Sequence, residues 1–146
     1  MAAKWTLDVS AMQEDFFADT ALIGVASSLP GYGFCRLLNK HFAMKFIREP
    51  ALDVGIEAAG GGKKYFPVYQ YALPLSGGRY LLYKLKSDKE PLLPEIRQLD
   101  FLWLIQSISP DADAQFFLQK LREMPDVQLA QILTVDKLKN ANYLLV

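Results

Sequence analysis

Apolar and polar residues alternate over Lys4–Ser10, with Trp5, Leu7 and Val9 on one parity and Lys4, Thr6 and Asp8 on the other. This period predicts a strand with one buried face. The alternation disappears over Thr20–Ser27, TALIGVAS, where nearly every residue is apolar and Ile23 and Val25 are β-branched. Such a run predicts a strand covered on both sides, in the interior of a sheet. After Pro30 the period lengthens. Phe34, Leu38, His41 and Phe42 fall on one side of a helical wheel and Arg36, Asn39 and Lys40 on the other, predicting a core-facing helix over about 30–43. KFIREP (45–50) and LDVGIE (52–57) read as short strands, and the glycines of AAGGGKK (58–64) as a loop.

Two further runs, KYFPVYQYALPL (64–75) and GRYLLYKLK (78–86), flank Ser76-Gly77-Gly78 and predict a β-hairpin with a short glycine turn. Pro67 and Pro74 make its first arm an edge or an interrupted strand, since proline cannot donate to a ladder. Leu99, Phe101, Trp103 and Ile105 share one parity and predict another strand. A second helix is expected over about 110–123, with Ser109 as N-cap, Pro110 at the first helical position and Asp111 and Asp113 complementing the dipole. VQLAQILTV (127–135) reads as a strand, Thr134 as the cap of a short C-terminal helical turn, and the tail YLLV as apolar enough to pack on the body. Strands joined mostly by hairpins, with helices inserted separately, predict a single α+β domain over 1–146 built on a mainly antiparallel sheet.

The chain has 146 residues, 51% of them hydrophobic, enough for one substantial core. Sixteen basic residues balance sixteen acidic ones, so no overall positive field favours nucleic acid or anionic lipid. No apolar run suits a membrane span and no secretory leader is apparent, which predicts a soluble cytoplasmic protein without a membrane partner. Cys35 is the only cysteine, which excludes an internal disulfide or a cysteine-cluster metal site; no metal or other cofactor is expected.

One short motif stands out. Leu93-Pro94-Glu95 and Leu99-Asp100-Phe101 resemble the signature of the bacterial family called IPExxxVDY, with Pro94, Glu95 and Asp100 matching outright and Leu93, Leu99 and Phe101 as apolar replacements. Upstream, LIGVASSLPGYGFCRLLNK (22–40) is similar to the family's apolar strand and following helix, departing from it at Gly31, Gly33 and Arg36. The resemblance implies no defined reaction, cofactor or substrate.

Candidate chemistry is sparse. Glu95 and Asp100 could divide acid and base roles, yet five residues of extended chain separate them too far for a tight pair. They read better as carboxylates satisfied by loop backbone N–H groups, a basic neighbour or a cross-sheet donor. His41, the sole histidine, is the best available general base, and it joins Glu95 and Asp100 in a small-molecule or enzyme reading. Cys35 reads as a buried structural thiol. AAGGGKKY lacks the glycine and hydroxyl residue that a phosphate loop needs. Lys63, Lys64, Lys84 and Lys86, interleaved with tyrosines, could form a surface for single-stranded RNA. Phe116 lies off the stripe of Ala114, Phe117, Leu118 and Leu121. It is therefore a candidate partner contact, as are Tyr80 and Tyr83 on the hairpin. The leading expectation is a non-catalytic domain that acts through protein contacts, with self-association as a homodimer among them.

Overall fold

The two most continuous apolar runs lie side by side. Thr20–Ala26 (β1) pairs antiparallel with Phe101–Gln106 (β9), from Thr20 opposite Gln106 to Val25 opposite Phe101. The computed structural model describes residues 14–57, 61–75, 77–87 and 90–145. The strand expected over Lys4–Ser10 lies outside the described residues. Around the central pair run β2 (Ile47–Arg48), β5 (Val68–Ala72), β6 (Arg79–Lys84) and β10 (Leu129–Leu133), completing a six-stranded antiparallel sheet in the order β10-β1-β9-β6-β5-β2. A smaller ladder pairs β3 (Val54–Glu57) with β4 (Lys63–Phe66), and a minimal one pairs β7 (Lys86–Ser87) with β8 (Glu90–Pro91). The two long helices among the described residues are α1 (Gly31–Phe42) and α2 (Pro110–Arg122), and a further short helical stretch lies at 14–17. This is the α+β class that the periodicity predicts.

The strand period of two sorts the core into two clusters. Ile23, Val25, Tyr80, Leu82, Phe101, Trp103 and Ile105 point to the face that carries α1 and α2. Leu22, Leu81, Tyr83, Leu102 and Leu104 point to the other, where Val54, Phe66, Leu92, Leu93, Ile96, Leu99 and the chain end from Leu138 to Leu144 cover them. Each large apolar side chain fully removed from water contributes roughly 1.5–3 kcal/mol. A sheet covered on both sides explains why β1 and β9 show no alternation.

The hairpin forms as expected, with Val68 opposite Tyr83, Ala72 opposite Arg79, and the Leu73 N–H bonded to the Gly78 carbonyl at 2.9 Å. Pro67 is the interruption, separating β4 from β5. Strand β6 is covered on both faces. Tyr80 is 7% and Tyr83 0% accessible, because β6 lies between β5 and β9 with both faces covered. Tyr83 is fully buried and reaches no surface, and Tyr80 reaches solvent only where it lines the groove described below. The Tyr83 hydroxyl instead donates to the Leu144 carbonyl at 2.6 Å and anchors the tail.

Helix α1 is turned relative to its predicted face. Its buried residues are Gly31, Phe34, Cys35 and Leu38, so the packed stripe is centred toward Cys35. That rotation brings Asn39 inward, where its side chain accepts from the Phe46 N–H at 2.7 Å and donates to the Phe46 carbonyl at 3.0 Å. It also swings His41 outward, and His41 is exposed, not core-facing. Helix α2 starts at Pro110 as expected, but Ser109 makes no side-chain cap; Ser107 Oγ donates to Asp113 Oδ2 at 2.7 Å instead.

Candidate functional site

The stripe on α2 buries Ala114, Phe117, Leu118 and Leu121, and consecutive phenylalanines on a helix cannot both face the core. Phe117 stacks on Trp103 at 4.5 Å between ring centroids, and Phe116 is left 53% exposed. Phe116 stands at the mouth of an open groove of about 490 Å³ between the end of α1, α2 and the β5–β6 hairpin. Phe42, Met44, Tyr71, Leu73, Tyr80 and Phe117 form its apolar lining, with His41 at its edge. A smaller neighbouring pocket of about 220 Å³ shares His41 and Phe42 and is completed by Lys120, Glu123, Met124 and Pro125.

Edge-to-face ring contacts hold the floor together: Phe42 meets Phe117 at 5.0 Å, Tyr80 meets Phe117 at 5.7 Å, and Phe116 rests on Phe117 at 5.7 Å. These geometries favour aromatic attraction. Burial, with Asp113 and Tyr71 adding to it, pushes the Tyr80 phenol up to about 12, so it stays a neutral wall. Trp103 lies directly behind these rings, fully buried, with an indole N–H that has no partner among the described residues. In the wall of that smaller pocket Lys120 is exposed and forms no ion pair among the described residues. Lys120 sits 5.8 Å from the Phe116 ring centroid, a cation–π approach.

The other candidates do not gather here. The 3-10 turn Pro94–Ile96 presents Glu95 to the chain end, where Oε2 accepts the Asn140 N–H at 2.8 Å and Oε1 the Asn140 side-chain amide at 3.2 Å. Asp100, just before β9, accepts the Ser27 N–H at 2.8 Å on one oxygen and the Lys86 ammonium at 2.9 Å on the other. With His41 on the groove edge, each of the three is satisfied or placed separately, and the small-molecule constellation of His41, Glu95 and Asp100 does not form. Within the signature Leu93, Leu99 and Phe101 are buried, and Phe101 stacks on Phe34 of α1 at 4.4 Å. The signature therefore ties β1, β9 and the C-terminal segment together.

Burial alone would raise the Glu95 pKa. Bonds from its own N–H, from the Asn140 backbone and side chain and from the Lys139 N–H outweigh that and hold it below the usual carboxylate value. A lowered native pKa means that the unfolded chain binds more protons as the medium acidifies. The Glu95 contribution is thus complete above about pH 4.5 and is lost as pH falls through the native value. Glu95→Gln is expected to cost roughly 1–2 kcal/mol at pH 7. In urea denaturation series, the gap from the parent chain should narrow on acidification; a gap independent of pH would contradict the assignment.

Cys35 donates to the Phe46 carbonyl at 3.5 Å, and burial pushes its thiol up to about 11, which suits a structural residue. The basic and aromatic surface considered for RNA is broken up: Lys64 pairs with Glu90 at 2.9 Å, Lys86 with Asp100, and Tyr80 and Tyr83 are buried. Among the described residues no group of three or more His, Cys, Asp or Glu could hold a metal ion, and no helix is long and apolar enough to cross a membrane.

The sequence signal for the groove was the displaced Phe116; its partners Phe42 on α1 and Tyr71 and Leu73 at the end of β5 carried no joint pattern. Compared with known proteins, the chain matches no family model, no curated protein and no solved structure.

Proposed function

We propose that this chain is a non-catalytic cytoplasmic domain that works by holding an apolar segment of a partner protein in the groove beside Phe116, and that it is a member of the IPExxxVDY family. The carrying observation is Phe116 itself: a large aromatic side chain, half exposed, at the mouth of an apolar groove with a rigid aromatic floor. Aromatic anchors beside such pockets dominate binding energy at protein interfaces. Lys120 lacks an ion pair among the described residues, and Glu123 is the one carboxylate that the described lining contributes. An apolar segment with a carboxylate at its flank complements Lys120.

The test compares synthetic peptides that carry the same Leu and Phe anchors between either Asp/Glu or Lys flanks, monitored by amide NMR shifts and by sedimentation velocity. Acidic-flanked peptides are expected to shift amides at His41, Phe42, Tyr71 and Phe116. Phe116→Asp should weaken them by at least about 2 kcal/mol, roughly thirtyfold, with the unfolding midpoint little changed because the ring is exposed. Self-association abolished by Phe116→Asp would identify a second copy as the occupant instead. A strict monomer whose groove amides respond to no peptide overturns the reading.

A further inference from the structure

Strand β10 is one edge of the six-stranded sheet, bonded to β1 and to no other strand among the described residues. The alternation of an antiparallel ladder decides which of its backbone groups face outward. The Val25 carbonyl accepts the Asp100 N–H at 2.8 Å and so points to the β9 side, whereas the Ala26 carbonyl accepts the Gln128 N–H at 2.9 Å and points to β10. Val25 lies opposite Ala130. Ala130 therefore makes no bond to β1, and its N–H and C=O point away from the sheet, as do those of Ile132 two residues on. Arg122 Nε, which donates to the Ala130 carbonyl at 3.1 Å from outside the ladder, fixes the direction independently.

Edge strands in native proteins are blunted by charge, proline or brevity. The opposite edge follows that rule: β2 is only Ile47–Arg48, with Pro50 close behind. Strand β10 does not. Leu129-Ala130-Gln131-Ile132-Leu133 carries no charge and no proline, and Leu129 and Ile132 are 42% and 37% accessible. A second β10, antiparallel about a twofold axis at Gln131, answers each of these features. Ala130 then faces Ile132 of the second copy, and the outward N–H and C=O groups of both strands pair with one another. Half-exposed Leu129 falls opposite Leu133 and Ile132 opposite the small Ala130, so each exposed apolar side chain gains an apolar neighbour. Gln131 meets its own copy across the axis, where two side-chain amides supply both donor and acceptor. Within the strand no like charges are opposed, and the second lone pair of the Ala130 carbonyl leaves room for Arg122.

We propose that β10 is a dimerisation edge, through which two copies of this chain join antiparallel into one continuous sheet. The contact is isologous and closes on itself, since the short β2 edge offers no equivalent template for a third copy. It is separate from the groove beside Phe116, which is built on β5, β6 and the helices toward the other side of the sheet.

The test is sedimentation velocity of the intact chain over a concentration series, with amide hydrogen exchange read at low and high concentration. A concentration-dependent dimer is expected, with the Ala130 and Ile132 amides protected in the dimer and exchanging freely in the monomer, while Gln131 and Leu133, bonded to β1, stay protected throughout. Ile132→Pro removes an outward donor without breaking a bond to β1, a change that an edge strand tolerates, and should weaken the dimer at least about thirtyfold. Ile132→Lys keeps the N–H but sets a charge on the edge, and should weaken it about tenfold or more. Phe116→Asp should leave it unchanged. A monomer at every concentration overturns the proposal, as does a dimer undiminished in Ile132→Lys. A dimer abolished by Phe116→Asp places the contact at the groove and overturns it too. Protection of Ala130 and Ile132 in a monomer means that another segment of the same chain pairs with β10, which equally overturns it.

Discussion

Leu99→Ala is expected to destabilise the domain by roughly 2–5 kcal/mol, the range for emptying a buried leucine site. Leu99 is fully buried among residues from β1, β9 and the C-terminal segment, so no single neighbour can collapse into the space. Its closest dependence is on Gly24 in the middle of β1. A Cβ at Gly24 would overlap Leu99 Cδ1 and meet Leu133 Cδ1 at 2.9 Å, closer than unshifted atoms can approach. Gly24→Ala alone should therefore cost roughly 1–3 kcal/mol through overpacking. In the double variant the new methyl enters space that Leu99 vacated. The two losses should then fall short of their sum by about 1 kcal/mol or more, measured by urea denaturation of all four chains. Strict additivity would show that the two sites are not packed as described. Leu99 is also a signature position, and this coupling gives its apolar character a physical basis: it fills the gap over a glycine.

Asn39→Ala is the second large effect, expected at roughly 2–4 kcal/mol. Its side chain bonds both the N–H and the carbonyl of Phe46, a residue only 3% accessible; truncation strands the N–H at about 1–3 kcal/mol and leaves the carbonyl only the weak Cys35 thiol donor. The same side chain stabilises the exit from α1. Ala43 adopts a left-handed conformation at φ 53°, and the Met44 N–H returns to the Asn39 carbonyl at 3.2 Å. Left-handed geometry is unfavourable for alanine, so the clasp to Phe46 holds the chain in a turn that it would otherwise leave. Asn39→Asp keeps the acceptor for the Phe46 N–H but loses the donor to the carbonyl, and should fall between the parent and Asn39→Ala. Hydrogen exchange at the Phe46 amide gives the direct readout, accelerating in Asn39→Ala well beyond the change in global stability. Unchanged local protection would contradict the clasp.

Asn39 and His41 also show where helical periodicity misleads. A wheel drawn through Phe34, Leu38 and Phe42 puts His41 inside and Asn39 outside. A small buried residue, Cys35, shifts the centre of the packed face by enough to exchange them. Hydrophobicity is read from large side chains, whereas the rotation of a helix on a sheet is set by where its small residues permit close approach. Gly31, in contact range of Tyr69, acts in the same direction. The tyrosines of β6 illustrate a different limit. Alternating Tyr80, Leu82 and Tyr83, Leu81 are consistent with a half-exposed hairpin, and only the neighbours supplied by β5 and β9, with α2 on one face and the C-terminal segment on the other, bury both tyrosines.

The sequence by itself determined the element types and most of their order. A period of two, a longer helical period, proline at helix starts and glycine at the hairpin turn are local consequences of backbone geometry, and they led to an antiparallel α+β sheet with two helices. It also marked Glu95 and Asp100 as carboxylates held by donors, since a partly buried charge must be satisfied wherever it lies. Only the tertiary structure decided which donors those are: Asn140 for Glu95, and Ser27 with Lys86 for Asp100. It alone assembled the groove beside Phe116 and left the uncharged β10 at an edge of the sheet. Contacts between residues tens of positions apart depend on strand order and on helix rotation, and neither is encoded in any local repeat.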